Sequence, residues 1–193
     1  MNILHIDSSA RHQGSITRDL GASIVKKLST DSTTVTYRDI SAGLPVLSED
    51  WVNANFTPAD ARNDTQKALL AQSDGLVDEL KAADTLVLGL PIYNFGVPAA
   101  LKTWVDLVAR VGMTFRYSEA GPQGLLAEKR AIVAVASGGT QAGSEIDFAT
   151  TYIKHFLGFL GIHDVTFVAA DQMAIEPEET LAAAKRAIET LAA

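Results

Sequence analysis

The sequence predicts an α/β domain built on a three-layer, doubly wound parallel sheet, and two observations carry that reading. Short apolar runs alternate with segments of helical periodicity along the whole chain. One of those runs, Thr85 to Leu90, is apolar without alternation, the pattern of a strand covered on both faces in the middle of a parallel sheet. The length agrees, since 193 residues can bury a sizeable core in one domain spanning residues 1–193.

The elements follow in order. Asn2 to Asp7 is the first strand, and from Ser15 the residues Ile16, Leu20, Ile24, Val25 and Leu28 recur at helical spacing. Thr33 to Arg38, rich in β-branched residues and preceded by the polar cluster Ser29 to Ser32, reads as the second strand. From Ser41 to Asp64 the pattern is irregular, with Gly43, Pro45 and Pro58 among isolated apolar residues, which predicts a long connection containing short helical pieces. Connections of that length tend to serve function or an interface. Asn63 with Gln66 offers a capping-box start to a helix whose face is Leu69, Ser73, Leu76, Val77 and Leu80. After Thr85 to Leu90, Pro98 stands at a first-turn position of a helix with Leu101, Trp104, Val105 and Val108 on one side. Met113 to Tyr117 and a Gly121-Pro122 turn lead to a strand at Ala131 to Ala136, a helix over Asp147 to Leu160, a strand at Val165 to Ala169 and a helix from Pro177. Five strands and five helices fit the flavodoxin-like order 2-1-3-4-5 better than a six-stranded dinucleotide fold, and place ligands at the carboxyl ends of strands one, three and four.

Composition narrows the function classes. Hydrophobic residues make up 47% and charged residues 20%, as in an ordinary globular chain. No cysteine is present, which removes disulfides, thiolate metal sites and cysteine nucleophiles together. A formal charge of −7 and a pI near 5.0 disfavour nucleic acid and anionic membrane as partners. The opening Met1 to Asp7 has no basic leader, and no segment approaches the ~20 apolar residues of a membrane span, so a cytoplasmic protein is expected.

Three loops hold the chemistry. The first, Ser8 to Arg18, sets hydroxyls on both sides of Gly14 and has no acid before Asp19, so Ser9, Ser15 and Thr17 suit a phosphate at a helix N-terminus. The other reading is that Ser15 simply caps its helix. The loop matches neither dinucleotide nor triphosphate fingerprints, which favours a terminal monophosphate. The second, Leu90 to Pro98, holds Tyr93, Asn94 and Phe95 between two prolines and suits a flat ring; plain packing of the aromatics is the alternative. The third, Ala136 to Gly143, carries Gly138 and Gly139, which allow close backbone approach but are also common turn material.

Tyr93-Asn94-Phe95 after Pro91, Lys102 to Arg110, Thr114 to Tyr117, Gly121-Pro122 and the Phe156 to Gly161 run together resemble the FMN-dependent NADH-azoreductases, relatives of the NAD(P)H:quinone reductases in the flavodoxin-like superfamily. The resemblance covers nearly the whole chain. It implies tightly bound FMN held by Ser9; by Ser15, Ile16 and Thr17; by Ile92, Tyr93, Asn94 and Phe95; and by Ala136, Ser137, Gly138 and Gly139. It further implies a homodimer with the flavin near the subunit interface. Phe115 and Tyr117, with Trp51 and Phe56, are candidate walls of a substrate pocket shared across such a dimer, plain core packing being the alternative. The chain departs from the common Ser-Arg-Gly-Gly of the third loop by having Ala136-Ser137-Gly138-Gly139, which bears on nicotinamide preference and substrate range.

The activity so implied is ping-pong transfer of reducing equivalents from NADH to quinones, and to azo compounds that are cleaved to two amines. No catalytic side chain and no metal site is expected, because the cofactor carries the chemistry. His5, His155 and His163 read as structural, and so does His12, with aid to the anion from its place in the first loop as the alternative. A flavodoxin-type electron carrier acting through a protein partner is the alternative. A phosphoacceptor receiver domain is set aside, since Gly89-Leu90-Pro91 stands where its aspartate belongs.

Overall fold

A computed structural model describes residues 1–192. In chain order the elements are β1 (Asn2–Asp7), α1 (Ile16–Leu28), β2 (Thr34–Asp39), α2 (Glu49–Phe56), α3 (Asp64–Ala82), β3 (Thr85–Pro91), α4 (Ala99–Val108), β4 (Phe115–Ser118), β5 (Gly121–Gly124), β6 (Arg130–Ala136), α5 (Phe148–Phe159), β7 (Asp164–Ala170) and α6 (Pro177–Glu189). The main sheet runs β2-β1-β3-β6-β7 with every neighbouring pair parallel, the order expected. β3 is buried at every position, which explains its unbroken apolar sequence, whereas edge strand β2 leaves Val35 and Tyr37 exposed.

Alternate residues of each strand serve different layers. Leu86, Leu88 and Leu90 join the larger core beneath α2, α3, α4 and α5, with Leu4, Ile6, Val133 and Val135. Val87 joins a smaller core with Ile3, Ile132, Ala134 and Val168, roofed by Leu20, Ile24 and Leu28 of α1 and by Ala184 and Ile188 of α6. Gly89 faces the same side as Val87, and a Cβ there would stand 3.0 Å from Asp7 Oδ1 and 3.6 Å from Thr17 Cβ. Its missing side chain lets the start of α1 settle on the sheet.

Three local expectations change. The Gly121-Pro122 pair opens strand β5 instead of forming a turn; the turn is at Glu119 and Ala120, and β4 with β5 makes an antiparallel hairpin outside the main sheet. Leu70, not Leu69, lies on the buried face of α3, and the Asn63–Gln66 capping box forms in both directions. Pro98 stands at the N-cap position of α4, just outside its first turn, with no side-chain cap. The irregular 41–64 segment contains α2 and a single 3-10 turn at Ala59–Ala61. Among the described residues no helix is long and apolar enough to cross a membrane.

Candidate functional site

The chain leaves β1 toward α1 on one face of the sheet and leaves β3 toward α4 on the other, so a crevice opens between adjacent strand ends. A cavity of about 280 Å³ occupies it. Its lining takes Ser9, Arg11, Gly14, Ser15, Ile16 and Thr17 from the first loop, Pro91, Ile92 and Tyr93 from the second, and Ala136, Ser137 and Gly138 from the third. Met173, from the loop after β7, completes it.

Ser15 stands at the N-cap of α1 but its side chain makes no capping hydrogen bond; its hydroxyl lies 3.4 Å from that of Thr17, and both residues are buried. Among the described residues no protein group accepts from the N–H of Ile16, Thr17 or Arg18. The cavity therefore meets a helix N-terminus whose first-turn donors and two hydroxyls are all available to an anion. Gly14 leads in with φ of +64°, a backbone conformation that suits glycine.

Behind this loop sits a charged cluster. Arg18 Nε donates to Arg11 O at 2.9 Å and Nη2 to Ser9 O at 2.9 Å, while the guanidinium grips both oxygens of Asp39 at 2.8 and 3.1 Å. It also reaches the Tyr37 hydroxyl at 3.0 Å, the Ser41 hydroxyl at 3.1 Å and Asp7 at 3.4 Å. The hydrogen bond to Asp39 holds the guanidinium above its ordinary pKa. Burial alone would push the Asp39 carboxyl up, but hydrogen bonds from Arg18 and Ser41 outweigh it and hold it at about 2. Tyr37 is pushed up to about 12, chiefly by burial and then by its 2.8 Å hydrogen bond to Asp7. His5 is buried 3.6 Å from Asp7, and His12 is exposed 3.9 Å from Asp39, outside the cavity lining.

In the second loop the N–H and C=O of Tyr93 and Gly96 pair reciprocally at 3.1 and 3.0 Å around Asn94 (φ 49°) and Phe95 (φ 70°). Two consecutive left-handed residues make a tight reversal that asparagine tolerates and phenylalanine resists. The Tyr93 hydroxyl accepts from Ala10 N at 3.2 Å and sits 3.4 Å from Ser9 Oγ, so it ties the first two loops together.

The third loop is held by acceptors. Ser137 is buried, donates to Thr140 O and accepts from Gln172 N at 3.1 Å, so its hydroxyl is engaged within the protein. Asp171 accepts from Ala142 N at 2.6 Å, and Asp147 from Gly143 N at 2.8 Å. Asp147 also caps α5 through Ala149 N and Thr150 N and accepts from the Thr150 hydroxyl. Burial would raise the Asp147 carboxyl, and these hydrogen bonds reverse that and lower it. No protein acceptor takes the N–H of Gly138 or Gly139 among the described residues, and a Cβ at either would meet nothing within 4 Å.

Of the residues expected at a site, Asn94, Phe95 and Gly139 are exposed and lie outside the cavity lining. Phe115 is in the core, its ring 4.5 Å from that of Phe159, and is not a wall of the cavity. Tyr117 and Phe56 are exposed on a separate hollow of about 690 Å³ with Arg62 and Arg110, and Trp51 is buried under Arg110. That hollow is larger but gathers no strand ends. Sequence reading missed Arg11, Gly14, Pro91 and Met173; the signal for Met173 was that the loop after β7 also leaves the sheet at its carboxyl edge.

This sheet order, with a phosphate-suited helix start and two further loops around one switch-point crevice, defines a flavodoxin-like protein, and the flavodoxin-like fold family matches residues 1–192. A protein of Jannaschia sp. (strain CCS1) named FMN-dependent NADH:quinone oxidoreductase 1 is 59% identical over 192 residues, covering 100% of this chain and 99% of its own. Its namesake from Colwellia psychrerythraea (strain 34H / ATCC BAA-681) is 49% identical over 190 residues, covering 98% and 99%. The chain belongs to this family of flavodoxin-like FMN-dependent NADH:quinone oxidoreductases. In fold it is similar to an FMN-dependent NADH-azoreductase from Bacillus anthracis str. Ames Ancestor, solved with FMN, at a TM-score of 0.87 and 24% identity over 97% of this chain and 95% of that one.

Proposed function

We propose that the cavity holds FMN tightly and that the chain is an NADH:quinone oxidoreductase that also reduces azo compounds. The observation that carries this is Ser15, a buried N-cap serine whose hydroxyl does not cap its helix and lines the cavity beside free first-turn amides. Ser9, Ser15, Ile16 and Thr17 hold the phosphate there, with Arg11 the cationic side chain of the lining. At about 280 Å³ the cavity falls just below the roughly 300–1,000 Å³ of small-molecule pockets, so a three-ring head extends past Ile92 and Tyr93 to the mouth. Asn94, Phe95 and Gly139 follow Tyr93 and Gly138 in the chain and would meet the ring there, and the open space at Gly138 and Gly139 leaves their N–H groups as donors for its polar edge.

Bound FMN would supply ping-pong two-electron chemistry, taking a hydride from NADH and giving two electrons, with protons from solvent, to a quinone or, in two rounds, to an azo bond cleaved to two amines. The protein's residues bind and orient. Phe95 and Phe148, both more than half exposed and joined by a Phe148 N to Phe95 O bond of 3.0 Å, offer apolar surface to a flat acceptor. A homodimer belongs to the same reading, supported by Phe56, Val111 and Tyr117 exposed around one hollow. A chain without cysteine suits a reducing cytoplasm.

The test is optical. Purified protein given FMN should turn yellow, lose the flavin band with NADH and regain it with benzoquinone; protein that takes up no flavin overturns the proposal. Steady NADH oxidation driven by benzoquinone alone separates this enzyme from a flavodoxin-type carrier, which needs a protein partner.

A further inference from the structure

Arg18 lies outside the cavity lining, yet its side chain holds the first loop by two of its carbonyl oxygens. Its guanidinium takes the carbonyl oxygens of Ser9 and Arg11 at once, each at 2.9 Å. In a trans peptide the C=O and the following N–H point in opposite directions. Drawing both carbonyls to one guanidinium therefore turns the N–H groups of Ala10 and His12 the other way. Ala10 shows the result, since its N–H meets the hydroxyl of Tyr93, a cavity residue, at 3.2 Å. His12 N–H has no protein acceptor among the described residues.

Charge points the same way. Asp7 and Asp39 stand directly behind a loop that faces an anion, and Arg18 is the cation between them, 3.4 Å from one and 2.8 Å from the other. Its fork also matches the two Asp39 oxygens, so the guanidinium itself is fixed in place. Lysine could restore the charge but could not reach two carbonyls and a bidentate carboxylate together.

We infer that Arg18 is the positioning residue for phosphate recognition in this chain: it aims the amides of the Ser8–Ser15 loop at the cavity and shields the phosphate from Asp7 and Asp39, without touching the ligand. The inference rests on the reading that this cavity takes a flavin monophosphate. It states that Arg18 sets the preference for FMN over riboflavin, which lacks the phosphate.

The experiment measures binding of FMN and of riboflavin to the apoprotein by quenching of flavin fluorescence, with circular dichroism and thermal midpoints recorded for each variant. Wild type should prefer FMN strongly. Arg18→Lys should bind FMN roughly tenfold more weakly, and Arg18→Gln weaker still, while riboflavin affinity stays within twofold in both. Should the Arg18 variants fail to fold, Ser41→Ala, which takes one acceptor from the guanidinium without changing any charge, should lose part of the same preference. A folded Arg18→Lys with the wild-type ratio of FMN to riboflavin affinity overturns the inference, as does loss of both affinities in parallel, the sign of a merely structural role. Wild type that binds both flavins equally overturns instead the phosphate reading on which the inference depends.

Discussion

The first and third loops reach the same cavity but are fixed by opposite chemistry. A single cation, Arg18, holds the Ser8–Ser15 loop by its carbonyl oxygens. Two carboxylates, Asp147 and Asp171, hold the Ala136–Gly143 loop by its amides at Gly143 and Ala142. Both arrangements leave backbone N–H groups unclaimed where the cavity lies: the first turn of α1 in one case, Gly138 in the other. A site that binds through main-chain donors needs its loops immobilised by groups that do not use those donors, and the chain does this twice with different side chains.

The sharpest break of that comparison is Asp147→Ala. It removes the cap of α5 and leaves the buried N–H groups of Ala149 and Thr150, and that of the exposed Gly143, without this acceptor, a loss of about 3 kcal/mol. Urea denaturation should show it as a lowered midpoint at unchanged slope. Next is Asp39→Asn on the first loop, smaller because the carboxylate is partly exposed: about 1.5 kcal/mol at neutral pH once solvent screening is allowed for. Its pKa is depressed to about 2, so the wild-type advantage is complete above the unfolded value near 4 and disappears as pH falls through about 2. Urea midpoints of both proteins between pH 6 and pH 2 should converge at the acid end; a constant gap would sever Asp39 from Arg18.

The second loop lies between the other two and provides finer tests. Asn94→Ala should weaken FMN retention about fivefold, near 1 kcal/mol, while His155→Ala leaves it unchanged by equilibrium dialysis. Equal retention in both variants would remove Asn94 from the site. Smallest is Phe95→Gly, which relieves a left-handed phenylalanine at φ 70° and should raise stability by about 0.5–1 kcal/mol in calorimetry of the apoprotein.

The alternation of strands and helices and the three layers were legible because apolar runs, helical periodicity and the unbroken β3 all point to one architecture; the strand order came from matching five strands to a common order, not from any residue pattern. The Asn63–Gln66 box was legible because capping is local. The β4–β5 hairpin was hidden: β5 is Gly-Pro-Gln-Gly, which reads as a turn, while the true turn at Glu119-Ala120 carries no turn residues. Phe115 looked like a pocket wall because an aromatic on a short exposed element has no sequence mark that separates ring packing from a cavity; its partner Phe159 lies far along the chain. The role of Arg18 was equally invisible, for it depends on Asp39 and Ser41, which the β1–β2 pairing brings beside α1.

The unequal cores on the two sides of the sheet bear on how the protein responds to its ligand. α1 contributes both to the cavity wall and to the thinner apolar layer it shares with α6. A molecule clamped at the start of α1 therefore braces the weaker side of the sandwich against local opening. Amide hydrogen exchange should slow most on α1 and α6 when the cavity fills and least on α3 and α4, which rest on the thicker side and have little left to gain.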